Sequence, residues 1–560
     1  MIFVKRGGVA FAAAVFGMVA AAAGDSANVV LRPGCFDVVV EDGVYAGKEV
    51  VRFAAEEMTN FLSRALGQEV QIRTFARPGI PAIVLGNSPS ARKAGIDVGS
   101  LPHDGFAIKC VPPDRIYISG LDDEKFIPGK SRHVRRGTLF GAYNFLERHA
   151  GCRFYFPGEL GEIVPRSAEL KVPAGETRRH PAFVVRQMPN RLGKWFADVS
   201  DAERERLELL FYYRIGAQTM YIPCCHGQVQ MKFPERFGKS HPEYFLLNKD
   251  GTRFTRSTVA GKDTTRVGQM CHSSGIWDEI YEDAKAYFQG RSASSRGIPG
   301  GVWGSNARYG KYFDVMPQDG MVRCFCGKCQ AAYARAKYKD DWANELVWGR
   351  VCDIAERLRK DGIDGNLTMM SYVNYRRLPE RPVPPNVSVM VCSNDPWLHP
   401  DDAEKTFDNL KRWSSDRDGK VWLWNNNGKH SWYSLDIDGV PTPTPRAFGR
   451  YYKKCAPYIF GAYASNCSER FLYSALNYYV FCKVAWDPSV DADALIDEYY
   501  ELMFGPAAGM MRLVFDGLER IWLTEVIGKA YEIKYGTAVD VPRNFTIWTK
   551  IYTPERIRPF

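Results

Sequence analysis

From about residue 180 to residue 465 the sequence alternates between short β-rich runs and longer stretches with helical spacing. FVVRQ (183–187), AQTMYIPC (217–224), KYFDVMP (311–317), NLTMMSYV (366–373), NVSVMVC (386–392), KVWLWN (420–425) and YIFGAYAS (458–465) read as strands. ERERLELLFYYRIG (203–216), IWDEIYEDAKAYFQG (276–290) and NELVWGRVCDIAERLRKDG (344–362) space apolar residues three and four apart and read as helices. A strand that runs parallel to its predecessor needs a crossover of a dozen or more residues, usually a helix. Repetition of that unit predicts a (β/α)8 TIM-type barrel over 180–485. The rival, an open doubly wound sheet, calls for a Gly-rich phosphate turn, and none follows any strand.

Residues 28–175 read as a separate α+β domain. KEVVRFAAEEMTNFLSRALG (48–67) places Val51, Ala54, Ala55, Met58, Phe61, Leu62 and Leu66 on one helical face and ends on Gly67. PAIVLGN (81–87) is a strand, and GFAIKCV (105–111) and RIYISG (115–120) form a hairpin across Pro112-Pro113-Asp114. RGTLFGAYNFLERHAG (136–151) is a second helix. The order predicts a small sheet with helices on one side. Residues 486–560 form a helical C-terminal segment. Asp491 caps one helix, Gly505-Pro506 stops it, and PAAGMMRLVFDGLERIW (506–522) is the next. TPERIRPF at the end reads as a helix start without its helix, so this segment is expected to be cut short.

Residues 1–24 have the pattern of a signal peptide: Lys5-Arg6, an apolar run from Val9 to Val19, then small residues to Gly24. The expectation is a secreted or periplasmic protein with no membrane span after cleavage. Removing Lys5 and Arg6 leaves 72 basic against 64 acidic residues, about +8. That excess is scattered, and no nucleic-acid partner is expected. Fourteen cysteines in 560 residues are too sparse for a disulfide scaffold. Aromatics make up 13% of the chain, which suits sugar faces as well as a large core.

A barrel carries its catalytic groups at the C-terminal ends of its strands. That rule selects His226 after AQTMYIPC, Asp319 after KYFDVMP, Asp395 and Trp397 after NVSVMVC, Trp424 and Asn425 at the end of KVWLWN, and Glu469 after YIFGAYAS. Two carboxylates among amides, an imidazole and indoles suit hydrolysis of a glycosidic bond: one acid protonates the leaving oxygen, the other group attacks or stabilises the cationic centre. Asp319 and Asp395 take those roles, with Glu243 in reserve. His226, Trp397, Trp424, Asn425 and Glu469 line the sugar subsites. Arg186, at the end of the first strand, is the one candidate clamp for a uronic acid carboxylate. No G-x-S-x-G elbow and no H-E-x-x-H helix is present. Cys224-Cys225-His226 does not make a thiol–base pair, because neighbours in an extended chain point to opposite faces.

Cys324, Cys326 and Cys329 follow Asp319 within ten residues. C-x-C-x-x-C suits tetrahedral thiolate binding, with Cys271 as fourth ligand and His272 as its rival. One disulfide plus a free thiol, or reduced packing, are the other two readings. None is catalytic, and catalysis needs no cofactor.

RGTLFGAYNFLERHAGCRFYFPGELGEIVP (136–165) resembles the end of the N-terminal domain of family 67 α-glucuronidases. HPEYFLLNKDGTR (241–253), PQDGMVRCFCGKC (317–329), PPNVSVMVCSND (384–395) and KVAWDPSVDADALIDEYYELMFGPAA (483–508) resemble a large exported bacterial family first catalogued as a domain of unknown function. Part of that family is glycoside hydrolase family 163, endo-β-N-acetylglucosaminidases acting on N-glycans. The resemblance runs over about residues 45–545. It implies a glycosidase with two carboxylates, or one in which the substrate acetamido group attacks the anomeric carbon. By position Asp319 matches the aspartate before the family's cysteine cluster, and His226 and His241-Pro242-Glu243 match its early motifs. Asp395 stands where the family is expected to carry glutamate, and Asn425 where it is expected to carry aspartate. Shortening a carboxylate side chain moves its oxygens by about 1 Å, which can cost on the order of 100-fold in rate. The rival readings are a non-catalytic glycan-binding protein on the same fold and an α-glucuronidase-like exo-hydrolase.

Overall fold

A computed structural model describes residues 28–45, 49–189, 199–217, 219–253, 255, 269–393, 400–418, 421–426, 443–465, 471–526 and 547–558. The expected signal peptide, Asp395, Trp397 and Glu469 lie outside the described residues.

The first part of the chain is built on ten strands: β1 (Asn28–Leu31), β2 (Asp37–Val39), β3 (Ile72–Arg73), β4 (Ala82–Leu85), β5 (Phe106–Val111), β6 (Arg115–Gly120), β7 (Arg153–Phe154), β8 (Glu162–Ile163), β9 (Leu170–Pro173) and β10 (Gly175–Arg179). β1–β9 and β7–β8 are two-stranded ribbons, and the rest form a sheet in the order β10-β5-β6-β4-β2-β3. The hairpin β5–β6 pairs Val111 with Arg115 across the expected turn. Strand alternation divides the apolar residues between two faces. Val38, Ile83, Leu85, Ile116 and Ile118 share the main core with the helices Glu49–Leu66 and Gly137–His149. Val39, Ala82, Val84, Ala107 and Tyr117 pack on the short helix Pro89–Lys93 and the turn Val98–Ser100 through Ala91 and Val98. Helices on one side only is therefore corrected: β4 and β6 are buried on both faces, so a second thin layer is required.

The second sheet contains β11 (Val185–Gln187), β12 (Arg308–Tyr309), β13 (Tyr312–Asp314), β14 (Asn366–Ser371), β15 (Val387–Cys392), β16 (Val421–Asn426) and β17 (Gly461–Ser465). Its order is β11-β17-β16-β15-β14-β13-β12. Every pairing from β11 to β13 is parallel, and β12 is a short antiparallel edge on β13. The chain is thus mixed α/β with a curled seven-stranded sheet, and the ring of eight ladders expected from the sequence is not found among the described residues. AQTMYIPC (217–224) in particular pairs with no strand there.

That segment nonetheless bridges the two ends of the parallel run, held by side chains. At its start, Arg186 of β11 donates Nε to Gly216 O (2.7 Å) and Nη2 to Ala217 O (3.4 Å). The same guanidinium pairs with Asp104 Oδ2 at 2.6 Å, bonds Phe183 O, and lies 5.2 Å from the Trp486 ring. Asp104 also accepts from Thr219 Oγ1. At its end, Thr368 Oγ1 of β14 donates to Pro223 O, and Asp314 of β13 accepts from Cys225 N (2.6 Å) and Gly227 N (2.9 Å). These bonds replace a ladder that buried backbone groups cannot forgo. Arg186 is fully buried with its donors engaged, which overturns its expected part as a substrate clamp. The exo-acting α-glucuronidase-like reading loses its one candidate clamp with it.

The C-terminal helices Phe471–Trp486, Ala492–Phe504 and Ala508–Ile521 pack against the sheet domain, with Asp491 capping the second of them through Asp493 N and Ala494 N. Glu519 reaches back to bond Ala447 N at the start of the helix Pro445–Cys455. No helix among the described residues is long and apolar enough to cross a membrane.

Asp104→Asn should leave the buried Arg186 charge uncompensated and destabilise the protein by about 3–5 kcal/mol. Asp104 sits at φ 59°, where asparagine is as well tolerated, so the loss reports the charge and not the backbone. Denaturant unfolding of the two proteins checks this. A second prediction concerns acid. Burial, assisted by Arg148, pushes the His149 imidazole down to about 4. The folded state keeps it neutral, so its stabilising contribution is complete above about pH 6.5 and is lost as pH falls through 4. The acid limb of the stability–pH curve should be shallower in His149→Gln by about 1.4 kcal/mol per pH unit at most. Parallel curves for the two proteins would contradict it.

Candidate active site

β13, β14, β15 and β16 are neighbours in the sheet, and the segments leaving their carboxyl ends carry the groups of interest. Asp319 lies five residues beyond β13 and Tyr372 directly after β14. Tyr372 OH donates to Asp319 Oδ1 at 3.2 Å, and Gly320 N donates to the same oxygen at 2.8 Å. Oδ2 has no hydrogen-bond partner among the described residues. Gln269 Nε2 holds the Asp319 carbonyl at 2.8 Å. Burial and the Asp319 carboxylate push the Tyr372 phenol far above its ordinary value, so it remains a proton donor in this bond at any working pH.

His226 completes the group. Its Nδ1 is 2.8 Å from the Pro317 carbonyl, which can only accept, so Nδ1 carries the hydrogen. Its Nε2 faces Asp319 Oδ1 at 3.8 Å, and its ring centroid lies 5.9 Å from that of Tyr372. An imidazole and a carboxylate at that separation can pass a proton through a bridging water or substrate hydroxyl. Asp319 is about one-third exposed and His226 about one-fifth, so both are reachable.

The sequence reading passed over Asp314, although it positions this site. Its carboxylate is fully buried and accepts from Met316 N as well as from Cys225 N and Gly227 N. Burial pushes it up to about 8 against those three amides, which favour the ionised form. His226 lies between the two clamped amides at φ 54°, ψ 45°, a left-handed conformation that costs a non-glycine residue roughly 1–2 kcal/mol. Gly227 is required by close approach: a Cβ there would lie 2.1 Å from Asp314 O. The available signal was an aspartate within the otherwise apolar strand YFDVM, where only amides or a cation would make it tolerable. Tyr372 was also missed, although it is the last residue but one of the expected strand NLTMMSYV.

Two further expected site residues can be placed, and one of them, Asn425, is corrected. Glu243 is exposed, its side chain pairs with His241 Nδ1 at 3.0 Å, and its own backbone amide and His241 hold its carboxyl below the ordinary range. A general acid needs the opposite shift. Asn425 is fully buried and its Nδ2 donates to Ser393 O at 3.1 Å, so it ties β16 to the end of β15 and does not line a subsite. Trp424 is half-buried at the end of β16, edge-on to Tyr463 at 4.5 Å between centroids. Cys224 is buried, and burial raises its thiol well above the ordinary value, the reverse of what a nucleophile requires.

The four cysteines singled out by spacing come together. The Sγ atoms of Cys271, Cys324, Cys326 and Cys329 all lie within 4.8 Å of one another, and Cys271 Sγ is 3.6 Å from Cys326 Sγ and 3.7 Å from Cys329 Sγ. His272, the rival ligand, is buried beside Trp277 and is not part of the group.

No curated protein matches this sequence. The chain is similar in structure to a family GH115 4-O-methyl-α-glucuronidase, BtGH115A, with specificity for decorated arabinogalactans, at a TM-score of 0.49 and 16% identity over 91% of this chain. The chain spans 65% of that protein's length. It is also similar to CpGH84B (TM-score 0.37, 11% identity, 88% of this chain and 74% of that one). A family 89 glycoside hydrolase from Clostridium perfringens, solved with 2-acetamido-1,2-dideoxynojirimycin, gives 0.39 and 11% identity over 89% of this chain and 54% of that one. At these scores the likeness assigns no residue a role. A family described as a domain of unknown function, DUF4838, matches residues 156–515, well over half of the chain, and the chain belongs to that family.

Proposed function

We propose that the protein is an exported glycoside hydrolase that cleaves GlcNAc-containing glycans in the manner of an endo-β-N-acetylglucosaminidase. The observation that carries this reading is Asp319: a carboxylate about one-third exposed beyond the end of a parallel strand, with Oδ1 fixed by Tyr372 and Gly320, Oδ2 unpartnered among the described residues, and His226 facing it. Such a carboxylate is oriented without being consumed by structure, as proton transfer requires. Asp395, three residues past the end of β15 in sequence and two strands over from β13, is our candidate for the second carboxyl. Asp319 and Asp395 divide two tasks. One, as a carboxylic acid, gives its proton to the leaving glycosidic oxygen while the C1–O bond breaks. The other steadies the substrate acetamido group as its carbonyl oxygen bonds to C1, and water then opens that ring. Trp424 offers an apolar face to a sugar ring. The corrected place of Asn425 favours one alternative, a glycan-binding protein without turnover, because no second carboxyl comes from β16.

Asp319→Asn should reduce the release of reducing ends from N-glycoproteins by about 10²–10⁴-fold, read by mass spectrometry, while glycan binding persists. Undiminished release removes Asp319 from the chemistry. Binding by the unaltered protein with no release from any N-glycan or uronic acid oligosaccharide selects the binding-protein alternative. Tyr372→Phe removes one hydrogen bond to a charged group, about 1.5–3 kcal/mol, and should slow turnover roughly 10- to 100-fold with little change in glycan affinity.

A further inference from the structure

We propose that Cys271, Cys324, Cys326 and Cys329 hold a structural zinc ion. Their four sulfurs all lie within 4.8 Å of one another, close enough to share one ion. Four thiolates at a Zn–S distance of about 2.3 Å stand about 3.8 Å from one another. The separations of 3.6 Å and 3.7 Å from Cys271 to Cys326 and Cys329 match that edge. A disulfide fits poorly: its sulfurs are about 2.05 Å apart, and it would draw Cys271 to one partner, whereas Cys271 is nearly equidistant from two.

The surroundings are those of thiolates. Leu247 N points at Cys324 Sγ and Cys329 N at Cys326 Sγ, each at 3.4 Å, and Ser273 Oγ lies 3.1 Å from Cys329 Sγ. The two amides aimed at sulfur stabilise its negative charge, and the Ser273 hydroxyl, which accepts from the Cys329 thiol, can turn its own proton to a thiolate. Arg350 Nε donates to the carbonyl of His272, next to Cys271, and brings a positive charge to the site. Cys326 caps the helix Gly327–Ala334, so Cys326 and Cys329 occupy a loop and the first turn of a helix, on one side of the metal. Binding exchanges four thiol protons for one Zn²⁺ and leaves a dianionic centre with no open position, which is structural and not catalytic chemistry.

The centre joins three parts of the chain. Phe325 N bonds Leu247 O, Gln330 Nε2 bonds Cys324 O, and Gln269, two residues before Cys271, holds the Asp319 carbonyl. The ion would therefore clamp the 269–273 loop to the 319–329 loop, and Leu247 is tied to the same cluster through its hydrogen bonds to Phe325 and Cys324. The proposal stands apart from the glycosidase reading, and its test uses no turnover.

The purified full chain should contain on the order of one zinc per molecule, with X-ray absorption giving four sulfur neighbours at about 2.3 Å. Removal of zinc by a chelator should lower the thermal unfolding midpoint, and added Zn²⁺ should restore it. Cobalt(II) put in its place should show the visible bands of a tetrahedral thiolate site. Cys326→Ser should lose the metal, while Cys35→Ser, at an exposed cysteine far from the cluster in sequence, should keep it. An intact mass two hydrogens short, or zinc-free protein whose unfolding midpoint zinc does not raise, would overturn the proposal. Zinc held through fewer than three sulfurs would overturn it too.

Discussion

A backbone segment that crosses the interior without a ladder must have its amides and carbonyls met by side chains. Residues 217–224 are that segment, and two buried carboxylates hold its ends. Asp104, in the turn just before β5 of the N-terminal sheet, fixes the beginning by pairing with Arg186 and accepting from Thr219. Asp314, at the end of β13, fixes the exit by accepting from Cys225 and Gly227. Each charge is costly to bury alone. Asp104 is offset by a guanidinium and Asp314 by three amides, so neither can be lost without leaving its partners unsatisfied. The N-terminal domain is therefore part of the frame that carries the site.

The same clamp explains a strained residue. His226 is left-handed because the amides on either side of it are both tied to one carboxylate. Strain of this kind survives only where the surroundings over-determine it, and it concentrates at working sites. The result is an imidazole held 3.8 Å from Asp319 with its other nitrogen committed to Pro317. The same Asp319 oxygen is steadied by Tyr372, and the Asp319 backbone by Gln269, which belongs to the loop of the cysteine cluster. Site and cluster are thus two ends of one loop system: the cysteines gather one end, and Asp319 is a partly exposed carboxylate at the other.

Much of this was legible in the residues. Alternation and turn chemistry located β5 and β6, the strands β13 to β17, the helix Glu49–Leu66 with its Gly67 stop and the Asp491 cap. These depend on neighbours a few residues away. AQTMYIPC failed as a ladder strand, although its pattern is a strand's, because pairing depends on what lies beside it. Arg186 and Asn425 depart from expectation for one reason. Residue type and place in a strand do not reveal burial or partners: Arg186 met Asp104 across 82 positions, and Asn425 met Ser393 across 32. Asp314 and Tyr372 were overlooked because their roles lie in hydrogen bonds to distant chain.

The sequence by itself determined the class of the fold, the strand ends from which functional groups leave, and the spacing of three cysteines with a fourth in reach. Hydrophobic period, turn residues and ligand spacing are local properties, and local sequence carries them. Only the tertiary structure decided that Asp319 meets Tyr372 and His226, that Arg186 is sealed within the frame, and that Cys271 joins the other three cysteines in one cluster of sulfurs within 4.8 Å. Each of these joins groups about fifty to ninety residues apart, and such distances are set by packing the whole chain around one core.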